Sequence, residues 1–307
     1  MNVNLQIKFN QINMKKFQIT LLILSLVTGA AFAQGINPLA PDSNPPTEIP
    51  GMKLVWTDEF KINGNPNQEY WNFEKGFVRN EELQWYKEEN ATCVNGVLLI
   101  EGRKEEIPNP NYQAGSPSWK TNREFAHYSS SSINTRGLKQ WLYGQFEVRA
   151  RIDTALGAWP AIWTLGINGQ WPSNGEIDVM EYYRVDSLPT ILANVAWGTG
   201  QQYKAKWDSE RIPFSKFTAT DPDWAMKFHT WRMDWTSESI KLYLDDALLN
   251  TTLLNETINP DGSNPFTKPQ YLLLNLAIGG NGGDPGKSIF PIKYEVDYVR
   301  VYQAIQK

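Results

Sequence analysis

Residues 144–152 read Gly-Gln-Phe-Glu-Val-Arg-Ala-Arg-Ile, apolar at every second position. A period of two marks a strand with one buried face and one open face. Similar short runs recur at 96–101, 191–197, 230–235, 240–244, 271–277 and 295–302, while helical periodicity is scarce. After Leu244 the alternation runs into the turn signal Asp245-Asp246. Many short strands at this spacing predict an all-β chain built as an antiparallel sandwich. At 307 residues, 41% hydrophobic and 20% charged, it can bury one large core. No internal repeat and no second domain boundary stand out within 52–307.

The first 33 residues read as an export signal. Lys15 and Lys16 form a basic start, Phe17 to Thr28 an apolar stretch, and Ala31-Phe32-Ala33 a cleavage site before Gln34. Met14 begins a signal of ordinary length, so 1–13 reads as an upstream extension. The apolar run is short for a membrane span. A secreted or periplasmic protein is expected. Residues 34–51, rich in Pro and polar side chains, read as a flexible linker, and 52–307 as the domain proper. The long polar stretches 104–125 and 201–228 read as loops able to shape a cleft.

Removing 1–33 takes away Lys8, Lys15 and Lys16 and no acid, which moves the net charge from −4 to −7. An acidic exported protein is a poor partner for nucleic acid. Cys93 is the only cysteine, so no intramolecular disulfide forms, and it reads as a small core residue. His127 and His229 stand alone, which argues against a catalytic zinc or a Ser-His-Asp triad. No catalytic cofactor is called for, and a monomer is the default.

The chemistry concentrates in Glu176-Ile177-Asp178-Val179-Met180-Glu181. On a helix the three acids would fan around the axis. On a regular strand Glu176 and Asp178 share a face and Glu181 points away. One extra residue near Val179-Met180, a β-bulge, returns Glu181 to their side. Three carboxyls on one face repel, so at least one pKa should rise, as a general acid requires. Five of the 13 tryptophans, at 141, 159, 163, 171 and 197, surround the acids. Some should fill the core and some should offer apolar faces to a sugar ring.

Gly157-Ala158-Trp159-Pro160-Ala161-Ile162-Trp163 through Glu181 resembles glycoside hydrolase family 16. The likeness is to its E-x-D-x-x-E form, found in bacterial laminarinases and related β-1,3(4)-glucanases. Val55 to Phe60, Asn80 to Tyr86, Tyr143 to Arg151, Leu274 to Gly280 and Val296 to Tyr302 resemble further family segments. The likeness runs over residues 52 to 303. It implies a β-jelly-roll of two curved antiparallel sheets, with a β-glucan chain across the concave face. It implies a retaining mechanism, with Glu176 as nucleophile, Glu181 as acid then base, and Asp178 bonded to the nucleophile. Such a pair of carboxyls sits roughly 5 to 5.5 Å apart. Trp159 and Trp163 match substrate-side tryptophans, and Trp171 and Trp197 are further candidates. Asn80, Arg136, Asn275 and Asn281 are candidate partners for sugar hydroxyls, with a structural acid as the other partner open to Arg136. The resemblance also implies a structural calcium held by Glu59, the Gly96 carbonyl and Asp297.

One departure bears on substrate. Many laminarinases have a histidine on the strand after the catalytic one, whereas here it reads Leu192-Ala193-Asn194-Val195-Ala196-Trp197. Laminarin-type β-1,3-glucan and mixed β-1,3/1,4-glucan both stay open. A β-agarase or other galactan hydrolase, a transglycosylase, and a non-catalytic glucan-binding protein are the alternatives. Both glutamates are present, which speaks against the last.

Overall fold

The computed structural model describes residues 37–305. The export signal expected at 1–33 lies outside them. Two sheets form the body of the described residues. The first has ten strands. Its path runs Ala247–Leu253, Ser239–Leu244, His229–Trp235, Gly144–Ile152, Ile292–Ala304, Val97–Pro108, Phe125–Ser130 and Gln84–Tyr86. Met52–Asp58 and Ala91–Val94 pair onto this path from its side. The second has seven strands, in the order Ala205–Pro213, Leu188–Gly198, Glu176–Val185, Ala158–Gly166, Gln270–Ile278, Ser132–Asn134 and Asn72–Phe73. Every pairing is antiparallel except Gln84–Tyr86 with Phe125–Ser130. The sandwich is that of the expected jelly roll.

The alternation read in the sequence decides what lies between the sheets. Phe146, Val148, Ala150 and Ile152 enter one core cluster with Ile162, Ile177, Val195, Leu272, Leu274 and Leu276 from the opposite sheet. Trp231 and Trp235 are fully buried there. A large ring enclosed in this way removes its apolar surface from water and contributes several kcal/mol. Cys93 is buried in the same cluster. His229 is buried between the Trp224 carbonyl and Asp245.

Two segments differ from expectation. The stretch 201–228 is no continuous loop. It holds the edge strand Ala205–Pro213, the short helix Ser215–Thr218 and a turn of 3-10 helix at Trp224–Met226. The described part of 34–51 is docked on the domain and is not a free tether. Arg149 donates to the carbonyls of Asn37 (2.8 Å) and Ala40 (3.0 Å). The Phe228 amide donates to the Pro38 carbonyl (2.7 Å), and the buried Asp42 donates its amide to Asp297 (2.9 Å). Backbone carbonyls do the holding, so Pro-rich composition conceals it. Among the described residues no helix is long and apolar enough to cross a membrane.

Candidate active site

The three acids lie on the strand Glu176–Val185, in the middle of the seven-stranded sheet. Gly175 directly precedes it, with φ +79°; a Cβ there would come within 2.8 Å of Pro265 and 3.0 Å of Phe266. Only glycine meets both demands without strain. Glu176 and Asp178 pair with Ala196 and Asn194 on the next strand; the register then shifts, and Glu181 pairs with Leu192. The other neighbour shows the same irregularity between Asp178 and Met180. Val179 and Met180 both turn into the core. Glu176, Asp178 and Glu181 therefore share the outer face of the sheet, which a regular strand would forbid.

Each carboxyl is held by a donor on a neighbouring element. The Trp171 indole N–H donates to Glu176 (2.9 Å), and the Trp159 indole N–H to Glu181 (2.9 Å). The buried Asn194 amide nitrogen donates to Asp178 (3.2 Å) and to Glu181 (3.1 Å). Asn194 thus ties Asp178 and Glu181 together. The resemblance implies a bond from Asp178 to the nucleophile; here Asp178 accepts from Asn194.

Burial, above all, raises all three carboxyls from their ordinary range, and mutual repulsion lifts Glu176 and Asp178 further. The neighbours then divide them. The Trp171 N–H and the positive charge of Arg79 favour the ionised form of Glu176. The buried Glu82 adds negative potential at Glu181. Glu176 is held up to about 8 and Glu181 to about 7, so both titrate near neutral pH in the free protein.

Arg79 was not singled out from the sequence, although it directly precedes Asn80. Its guanidinium lies 5.0 Å from the Trp163 ring centre and 5.8 Å from that of Tyr86, and it pairs with Glu74. Asn194 was also missed. Counting antiparallel register from Asp178 would have found it, because the two residues are cross-strand partners.

The proposed sugar-binding residues fare unequally. Trp159 and Trp163 are on the face of the acids, in register with Ala277 and Leu273. Trp171 reaches over Glu176 from the preceding loop. Trp197 is a correction: Ala196 pairs with Glu176, so Trp197 points to the opposite face and sits in the core cluster. Asn275 is buried on the acid face, but its amide accepts from Trp163 (2.7 Å) and donates to the Tyr86 hydroxyl (3.1 Å). It positions Trp163. Asn80 is exposed and donates to Glu82 (3.3 Å). Arg136 is exposed, 5.7 Å from the Tyr271 ring centre, and makes no ion pair among the described residues. Asn281 is exposed just beyond Gly280, whose Cβ would lie 3.3 Å from the Trp159 ring.

The calcium set at Glu59, Gly96 and Asp297 does not fit a cation held by side-chain carboxylates. Glu59 is engaged by Arg300 through two bonds (2.8 and 2.9 Å), and Asp297 by Arg149. Pro41 packs 3.7 Å from where a Cβ on Gly96 would stand. Two buried guanidinium groups already supply the positive charge there. Among the described residues no group of three or more His, Cys, Asp or Glu side chains converges as a metal site.

Comparison with known proteins places this geometry. A family model described as "Glycosyl hydrolases family 16" matches residues 80–300. The chain is 34% identical over 279 residues to a beta-glucanase of Rhodothermus marinus, covering 84% of this chain and 88% of that protein. The crystal structure of a non-specific endo-beta-1,3(4)-glucanase from family GH16 matches with TM-score 0.67 at 36% identity, covering 89% of this chain and 98% of the other. A chain solved in work on endo-acting O-glycanases, which members of the human gut microbiota express to initiate mucin breakdown, matches with TM-score 0.76. It is 34% identical and covers 85% of this chain and 94% of its own.

Proposed function

The chain belongs to glycosyl hydrolase family 16, and from that premise we propose that it is an endo-acting, retaining β-glucanase cleaving β-1,3- or mixed β-1,3/1,4-glucan. One observation carries the reading: a bulged strand sets Glu176, Asp178 and Glu181 on one face, with an indole N–H on each glutamate. Glu176, in its ionised form, to which Arg79 and the Trp171 N–H lend support, attacks the anomeric carbon and forms a glycosyl-enzyme ester. Glu181 gives its proton to the departing oxygen, then takes one from the water that opens the ester. Asp178, held with Glu181 by the Asn194 amide, stands between the two glutamates. Trp159 and Trp163 supply apolar faces beside the reacting sugar.

The substrate reading is supported by the relatives' glucanase activity and by the aromatic load of the acid face. A second reading is favoured by the likeness to the O-glycanase chain, whose TM-score of 0.76 exceeds the glucanase's 0.67. On that reading the same acids cut a mucin O-glycan. The test is product analysis on laminarin, mixed-linkage glucan, agarose, mucin O-glycans and carboxymethylcellulose in parallel. Oligosaccharides from the first two alone uphold the glucanase; cleavage of agarose or mucin glycans alone keeps the mechanism and replaces the substrate. No cleavage of any polymer leaves a binding protein. Elongated products with added acceptor sugars would mark transglycosylation.

The chain is proposed to be exported through residues 1–33, on the strength of Lys15, Lys16, the apolar run and Ala31-Phe32-Ala33. Terminal sequencing of the exported protein should begin at Gln34. The catalytic domain is taken as 52–307, working as a monomer.

A further inference from the structure

We propose that the edge strand Ala205–Pro213 carries an additional glycan subsite, with Trp207 as its stacking platform. The inference rests on the polysaccharide reading of the acid face and extends it two strands outward. Of the 13 tryptophans, all of them among the described residues, Trp207 is the only exposed one, with 46% of its surface open.

Register fixes which way it points. Glu176 pairs with Ala196, and Ala196 pairs with Trp207; Asp178 pairs with Asn194, and Asn194 with Ser209. Glu181 pairs with Leu192, and Leu192 with Arg211. Residues directly opposite on an antiparallel pair share a face. Trp207, Ser209 and Arg211 therefore stand in a row parallel to the three acids, on the same face, about 10 Å away at two strand spacings. The other face of the strand shows Lys206, Asp208 and Glu210.

Edge strands are ordinarily guarded by charge. This one has its charges and, among them, a large indole with no packing role in the core. The ring is continuous with the reacting centre. Trp207 and Trp171 lie 6.5 Å apart at an interplanar angle of 51°, and Trp171 holds Glu176. A polysaccharide crossing the strands from Trp163 over the acids meets Trp207 next. An indole face with a hydroxyl and a guanidinium in line matches the C–H face and hydroxyl edge of a pyranose. The ligand class is a further sugar unit of the same chain, bound away from the cleaved bond, so Trp207 selects long substrates over short ones.

The test is steady-state kinetics of W207A and W207F on the polymer that the wild type cleaves and on its trisaccharide, with melting temperatures alongside. The expected result is a KM on polymer raised about tenfold in W207A, a loss of roughly 1.4 kcal/mol of binding. The trisaccharide kinetics and kcat should hold, melting should not move, and W207F should fall between. Wild-type KM on polymer in W207A overturns the subsite, as does an equal loss on polymer and trisaccharide. Failure of the glucanase reading shows separately, as a wild type that leaves both glucans intact. If the wild type cuts another polymer, the comparison is made on that one. If it cuts none, the subsite falls with the function.

Discussion

Glu176→Gln should make the protein more stable and nearly inactive, and the gain should depend on pH. Burial first, then repulsion from Glu181, pushes the Glu176 carboxyl up to about 8 from an ordinary 4.5. A carboxyl raised in the folded state contributes fully below about 4.5, and that contribution is lost as pH climbs through about 8. At pH 7 the unfolded chain has released the proton and the folded one has kept it. The span from 4.5 to 7 is an upper bound of about 3 kcal/mol. Part of the rise is shared with Glu181, so the expected gain is about 1–3 kcal/mol. The amide oxygen still accepts from Trp171, so no donor is orphaned. At roughly 2–4 °C per kcal/mol, melting should rise by about 2–12 °C at pH 7. At pH 4 the two proteins should melt together, because both carboxyl states are neutral. Thermal melts of wild type and variant at pH 4, 5.5, 7 and 8, with activity on glucan, decide it. An equal gain at pH 4 and pH 7, or destabilisation at pH 7, would refute the electrostatic account. Substantial cleavage by the folded variant would remove Glu176 as nucleophile.

Asp178→Asn should cost less activity than Glu176→Gln, because it leaves both the nucleophile and the acid in place; cleavage rates of the two folded variants read this directly. Trp197→Ala should cost about 3–5 kcal/mol of stability, measured by denaturant melts, with kcat per folded molecule unchanged, since the ring is core. EDTA should leave the melting temperature in place, because Arg300 and Arg149 engage Glu59 and Asp297; a drop restored by calcium would contradict this.

What could be read from residues alone follows from how side chains are ordered along strands. The sandwich was legible because strands such as Gly144–Ile152 alternate, and alternation survives without knowledge of partners. The bulge was legible because Glu181 is an odd step from Asp178 while two apolar residues stand between them. Trp197 was misplaced because its face depends on its pairing with Glu176's strand, and an aromatic near acids looks the same on either side. The edge strand Ala205–Pro213 hid as a loop because both of its faces meet water, which erases the alternation. Arg79 and Asn194 act through partners remote in sequence, at Glu74, Trp163, Asp178 and Glu181. Such partnerships appear only once the strands are laid side by side.

The docked segment ahead of Met52 has a consequence for anyone trimming the protein to its working part. Every residue that faces sugar lies after position 52, so a chain begun there would retain the complete reaction centre. It would also strip Arg149 of two carbonyl acceptors and Asp297 of an amide donor, on the far sheet. Purification from an expression host would then report poor yield from a fragment whose chemistry is whole. The border of the catalyst and the border of the foldable unit are different places in this chain.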